Sequence, residues 1–162
     1  MLFRSNGILH RDIKPENFIV FSLENNIKVN CKLTDFGSAR NVNLLMTNMT
    51  FTKGIGTPAF MAPEILKKQR YKMPADIFAY AVTMYECFTW NEAYPKSSLE
   101  FKFPWKIAEF ICNGQRLPQP DEIENEIWKI ISSCWCDNPN QRLTADDIVP
   151  LLETELLKNG QR

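Results

Sequence analysis

Eight residues near the start of the chain concentrate reactive groups: His10-Arg11-Asp12-Ile13-Lys14-Pro15-Glu16-Asn17. They combine an imidazole, two cations, two carboxylates and an amide. Pro15 fixes its own φ and pushes Lys14 out of the helical region, so the stretch is a shaped loop rather than a helix. Asp12 and Asn17 stand five apart. On a helix they would point to different faces, whereas a turning loop aims both into one cleft. Acids, bases and amides gathered this way are the material of proton transfer and of ion binding.

Two further stretches follow in order. Asp35-Phe36-Gly37 is the first; Gly56-Thr57-Pro58-Ala59-Phe60-Met61-Ala62-Pro63-Glu64 is the second, with 24 residues between Gly37 and Ala62. Together the three stretches resemble the H-R-D-x-x-x-x-N catalytic loop, the D-F-G triplet and the G-T-x-x-[YF]-x-A-P-E segment of eukaryotic-type protein kinases. The resemblance runs from about Gly7 to about Leu157. Cys134-Trp135-Cys136-Asp137-Asn138-Pro139-Asn140-Gln141-Arg142 is similar to the C-W-x-x-x-P-x-x-R signature of the tyrosine-kinase-like branch. Leu143 stands where that branch often has proline.

The resemblance implies roles. Asp12 would be the catalytic base that accepts the proton of the substrate hydroxyl, and Lys14 would neutralise the transferring phosphoryl group of ATP. Asn17 and Asp35 would hold Mg²⁺, a hard cation that shares its oxygen ligands between protein and phosphate. Arg11 would pair with a phosphorylated activation segment, for which Thr50 and Thr52 are the candidate sites. His10 is read as structural. Asp76 would brace the catalytic-loop backbone from below, and Glu64 would form a buried ion pair with Arg142. Lys14 and Thr57 match the serine/threonine pattern, so the implied substrates are Ser or Thr of proteins.

One departure stands beside these matches. Only nine residues precede His10, and no G-x-G-x-x-G occurs in the chain. The expectation is a C-terminal kinase lobe without its N-terminal lobe, read as a serine/threonine kinase domain in part. The alternative is a kinase-like module that docks partners without catalysis.

Composition sets outer bounds. With 162 residues, 44% hydrophobic and 23% charged, the chain reads as one globular domain. A net charge of +0 gives no bulk attraction to nucleic acid or anionic membrane. No run of 18 apolar residues reads as a membrane span, and Met1 to Ser5 carry no apolar signal region. Five cysteines without paired spacing point to free thiols and a cytoplasmic, intracellular setting. Cys134 and Cys136 read as small residues at a helix end rather than as a zinc site.

The elements that must position the site follow from periodicity. The expected fold is mainly α, of an α+β family: a kinase-like C-terminal lobe with a small β-hairpin beside the catalytic loop. One domain spans 1–162, with catalytic loop 10–17, D-F-G 35–37, activation segment 35–64 and helical subdomain 76–158. Leu2 to Ile8 reads as the tail of a helix ended by Gly7. Phe18–Phe21 and Ile27–Leu33 read as the two hairpin strands around a Glu24-Asn25-Asn26 turn. Ser38 to Lys53 reads as a mobile loop. Asp76–Phe88 is apolar nearly all round and so predicts a buried helix. Trp105–Cys112 and Glu124–Cys136 predict amphipathic helices, the latter with Ile127, Ile130, Ile131 and Cys134 on one stripe. Thr144 caps a last helix completed by Ile148, Leu151, Leu152 and Leu156. Phe101, Phe103 and Trp105 read as packing rather than as a partner site.

Overall fold

The longest apolar run becomes the hub of the molecule. In the computed structural model, which describes residues 7–24, 27, 30–41 and 56–159, that hub is a helix at Pro74–Thr89. Phe78, Ala81 and Val82 of this helix are wholly buried, and Ala75, Ala79 and Met84 nearly so. Helix α1 is Pro63–Leu66, the hub is α2, and α3 is Pro104–Cys112. Helix α4 is Asn125–Cys134 and α5 is Ala145–Asn159. Pro63, Pro74 and Pro104 each open their helix in the first turn, where a missing N–H costs nothing and the fixed φ helps. The hub therefore begins two residues before Asp76. Helix α4 packs on α2 through Ile127, Ile130, Ile131 and Cys134, all buried, and α5 packs in turn on α4.

Helix α5 is tied at its start by a reciprocal cap. Thr144 Oγ1 accepts from the Asp147 amide at 3.3 Å, and Asp147 Oδ2 accepts from the Thr144 amide at 2.7 Å. Of its expected apolar stripe only Ile148 is fully buried. Leu152 is half-buried, while Leu151 and Leu156 are 43% and 53% exposed, because the helix runs on past the core that α4 offers.

Two small antiparallel sheets carry the front of the chain. Strand β1, Ile8–Leu9, pairs with β4, Arg40–Asn41; β2, Phe18–Val20, pairs with β3, Cys31–Leu33. Three expectations change here. Ile8 belongs to a strand instead of a helix tail, and Gly7 before it takes φ 62, a left-handed turn into the strand. The hairpin strands are three residues each, shorter than the alternating pattern predicts. Phe36–Ser38 is a 3₁₀ turn and Arg40–Asn41 a strand, so the first residues of the expected loop are ordered elements. Residues 42–53, and with them Thr50 and Thr52, lie outside the described residues, as do Asn25 and Asn26 and residues 2–6.

The aromatic cluster divides. Phe101 is buried and meets Tyr94 and Phe110 edge-on, with ring centroids 5.2 Å away in each case. Phe103 and Trp105 are 42% and 62% exposed and stack on one another at 4.3 Å. The first turn of α3 faces outward, so a ring there covers its neighbour instead of the core. Cys31, Cys87, Cys112, Cys134 and Cys136 are free thiols. Among the described residues no helix is long and apolar enough to cross a membrane.

Candidate active site

The loop from His10 to Asn17 is held chiefly by its backbone. The amide of His10 donates to Asp76 Oδ2 at 2.7 Å and that of Arg11 to Asp76 Oδ1 at 2.9 Å. Asp76 sits in the first turn of α2 and is buried, so the hub helix grips the loop through one carboxylate. Burial pushes that carboxyl up from its ordinary value, and the two N–H donors pull the other way. The grip bends the chain: Arg11 takes φ 72, a left-handed conformation that a side chain seldom adopts. Gly56 faces it with φ 86, where a Cβ would stand 3.2 Å from the Arg11 carbonyl oxygen and 3.0 Å from the Met61 methyl. The close approach of the two segments therefore requires glycine at that point.

Thr34 is a second clamp, one that the motifs did not reveal. Its amide and its hydroxyl both donate to the Asn17 carbonyl, at 2.8 and 3.0 Å. Its own carbonyl lies 2.9 Å from His10 Nε2. A carbonyl can only accept, so Nε2 carries a hydrogen. The Asp12 amide approaches His10 Nδ1 at 3.4 Å and can only donate, so Nδ1 is bare. Both ring nitrogens of His10 are thus used, and its ring lies 4.8 Å from Phe36 in an edge-on contact. It is occupied with joining the loop to the strand that leads to Asp35.

The side chains of the loop converge. Asn17 Nδ2 donates to the Asp12 carbonyl at 2.7 Å and reaches Asp12 Oδ2 at 3.3 Å. Lys14 Nζ stands 2.9 Å from Asp12 Oδ2 and donates to Thr57 Oγ1 at 3.0 Å. The Thr57 hydroxyl donates onward to Asp12 Oδ1 at 3.1 Å. Thr57 thus links the ammonium to the carboxylate from 45 residues away along the chain. Asp35 takes φ 57, ψ 66, and its Oδ1 accepts from the Gly37 amide at 3.3 Å. It is exposed, whereas Asn17 is buried. A cavity of only about 20 Å³, room for little more than one water, lies beneath the loop against Ile13, Phe60 and Ala79.

The donor set suits a hard cation. The amide nitrogen of Asn17 is spent on Asp12, which leaves its Oδ1 as an acceptor without a hydrogen-bond partner among the described residues. Asp35 Oδ2 is likewise uncommitted. Two oxygens of this kind are too few for a protein-only cage and fit Mg²⁺, which takes the rest of its shell from phosphate and water. Among the described residues no group of three or more His, Cys, Asp or Glu converges on a metal position.

Below the loop, the segment ending in Glu64 is anchored by a buried ion pair. Arg142 Nη1 and Nη2 each donate to a Glu64 carboxylate oxygen at 2.8 Å, a bidentate fork. Arg142 also donates to the Pro74 carbonyl at 2.8 Å. Its guanidinium lies 5.2 Å from the centroid of Phe78, and that of Arg116 lies 5.1 Å from the same ring. Arg116 further bonds the Trp135 carbonyl at 2.8 Å and pairs with Asp137. Its position beside Leu117-Pro118 looks like a plain linker in sequence, and only the fold reveals it as a bracket. Arg11, by contrast, donates from Nε to the Ser38 carbonyl at 2.5 Å, while its Nη2 is buried without a hydrogen-bond partner among the described residues. Its expected partners, Thr50 and Thr52, lie outside the described residues.

The family model described as the protein kinase domain matches residues 1–151. The chain is 35% identical over 155 residues, 94% of its length, to probable serine/threonine-protein kinase gdt2 of Dictyostelium discoideum. It is 33% identical over 144 residues, 88% of its length, to probable serine/threonine-protein kinase gdt9 of the same organism. The same identity and coverage hold for a putative serine/threonine-protein kinase/receptor, R818, of Acanthamoeba polyphaga mimivirus. The matched region spans only 8–9% of the length of these relatives. The match over residues 1–151 and relatives at 33–35% identity over most of its length place this chain in the protein kinase family.

Proposed function

We propose that the chain is the catalytic part of a serine/threonine protein kinase of the tyrosine-kinase-like branch, transferring the γ-phosphoryl group of ATP to protein hydroxyls. The observation that carries this reading is the network joining Asp12, Lys14 and Thr57. A base needs its carboxylate aimed, and Lys14 and Thr57 hold the two Asp12 oxygens in place. When bound, ATP with Mg²⁺ supplies the electrophilic phosphorus and a neutralised triphosphate. Asn17 Oδ1 and Asp35 would hold the cation. Asp12 accepts the proton as the substrate oxygen forms its new bond, and Lys14 offsets charge on the moving phosphoryl group. Thr57 belongs to the serine/threonine pattern, and here it bonds the very carboxylate that takes the proton.

The domain boundaries support a narrower statement. In the family the nucleotide is also gripped by a Gly-rich loop and a strand lysine. Neither is found within these 162 residues. We therefore expect the 162-residue chain by itself to turn over ATP very poorly. The test is transfer of labelled phosphate to a generic protein substrate with Mg²⁺. Asp12→Asn is expected to lower whatever transfer is seen by roughly 10²–10⁴-fold, the usual worth of a positioned base. Transfer unaffected by Asp12→Asn overturns the assignment of the base. Phosphoamino-acid analysis then separates serine and threonine from tyrosine, and dominant phosphotyrosine rejects the substrate class. Alanine at both Thr50 and Thr52 tests them as activating phosphosites; unchanged activity removes them.

A further inference from the structure

A second concentration of charge lies outside the catalytic loop. The chain as a whole is neutral, with 19 Lys and Arg against 19 Asp and Glu. Lys67-Lys68-Gln69-Arg70-Tyr71-Lys72 nevertheless holds four cations and no carboxylate. Lys67, Lys68, Arg70 and Lys72 are exposed, while Tyr71 among them is 5% exposed and packs into the core.

A basic run is most often a solvated face, and three features separate this one. The first is rigidity. The amides of Lys67, Lys68 and Gln69 donate to the carbonyls of Pro63, Ile65 and Glu64 at 2.9, 2.9 and 2.8 Å. Lys68 turns left-handed at φ 55 to close α1. Glu64 is itself locked to Arg142, and Tyr71 pins the far end. The cations are therefore presented on a fixed turn, and binding need not order the backbone beneath them.

The second is the lack of compensation. Among the described residues no carboxylate lies within ion-pair distance of Lys67, Arg70 or Lys72. The acids nearest in sequence are committed elsewhere, Glu64 to Arg142 and Asp76 to the loop amides. The third is position. The turn continues the segment that carries Thr57, and both Pro58–Phe60 and α1 lie against α3. A partner held on the turn is continuous with the segment that bonds Asp12.

We propose that the turn Lys67–Lys72 docks acidic stretches of the protein substrate, so that substrates of this kinase carry Asp- and Glu-rich sequence near the target hydroxyl. This rests on the kinase reading above. The attraction is electrostatic, steering encounter and weakening with salt. Nucleic acid fits less well. The one aromatic ring in the turn is buried and offers no platform for a base, and the rest of the chain supplies no net positive field.

The test is fluorescence anisotropy of a labelled peptide rich in Asp and Glu, with its Asn/Gln counterpart, added to the 162-residue chain without nucleotide. The acidic peptide is expected to bind at least about tenfold more tightly, a difference of about 1.4 kcal/mol. Lys67→Glu/Arg70→Glu/Lys72→Glu is expected to abolish that preference, and the milder Lys67→Gln/Arg70→Gln/Lys72→Gln to reduce it, with unchanged melting temperature in the latter. Equal binding of the two peptides, or a preference that survives both variants, overturns the proposal. So does tighter binding of a single-stranded RNA through the same three residues. Because the assay needs no ATP, its outcome is independent of whether phosphate is transferred.

Discussion

Among the described residues before Gly56, Leu9 is the one apolar side chain that is fully buried; every other core residue lies between Phe60 and Ile148. The front of the chain instead buries polar groups: His10 and Arg11 bond the Thr34 and Ser38 carbonyls, and the Asn17 carbonyl accepts from Thr34. The two regions are thus held by different forces. The helical region is stabilised by apolar area and anchors the front region through a few polar contacts. The front region contributes little core and carries the reactive groups. This division lets the loop adopt a left-handed Arg11 and an exposed, left-handed Asp35, because the helical core offsets the strain. It also predicts that substitutions separate by region into those that unfold and those that only misplace.

The largest effect is expected where the helical region buries charge. Glu64→Ala or Arg142→Ala leaves one partner uncompensated at a site where the Arg142 side chain is wholly buried. Either is expected to cost about 3–5 kcal/mol, read as a fall in the denaturant midpoint. The double change to alanine is expected to cost less than the sum, since the second loss no longer strands a charge. Additive losses would place the stabilisation in packing on Phe78 and not in the pair.

A smaller loss is expected at the join between the regions. In Asp76→Asn one oxygen still accepts, but the amide nitrogen confronts an N–H of the loop. Loss of one charge-assisted bond costs about 2 kcal/mol. The more informative readout is local: hydrogen exchange at the amides of His10 and Arg11 is expected to accelerate well beyond that of α2. Uniform acceleration along the chain would mean that the loop and helix unfold together, and the two regions would then be one.

The legibility of the sequence follows the same division. Helix α4 could be read residue by residue, because Ile127, Ile130, Ile131 and Cys134 bury one face and periodicity records burial. The hub helix was legible for the same reason, apart from its start, which Pro74 moved forward. Phe103 and Trp105 show the limit, since aromatic type alone does not say whether a ring meets the core or another ring. The H-R-D, D-F-G and A-P-E motifs single out residues by type and spacing. They did not reveal Thr34, because a threonine before Asp35 has no pattern of its own and acts through two bonds to one carbonyl. Arg116 was hidden likewise, its role depending on Phe78, which is 38 residues away along the chain and adjacent only in the fold.

The smallest effect on stability belongs to the hairpin, where the comparison can be sharpened. Ile19, Val20 and Phe21 are 50%, 57% and 60% exposed, an apolar surface at the strand end with the Lys32 ammonium 5.4 Å from the Phe21 ring centroid. Such a surface binds hydrophobic dye and other chains, since grouped exposed apolar side chains favour association. Yet it contributes little to the fold, because a side chain still half in water has gained little from burial. Ile19→Thr/Val20→Thr keeps the β-branched shape that a strand favours and changes only polarity. The melting midpoint is expected to change by an amount corresponding to at most about 0.5 kcal/mol, the usual range for surface positions. Dye fluorescence and light scattering of the 162-residue chain should fall together. A large loss of stability would mean that the strand is covered in solution. That would move the hairpin from the exposed front region into the core, and the boundary between the two regions would have to be redrawn there.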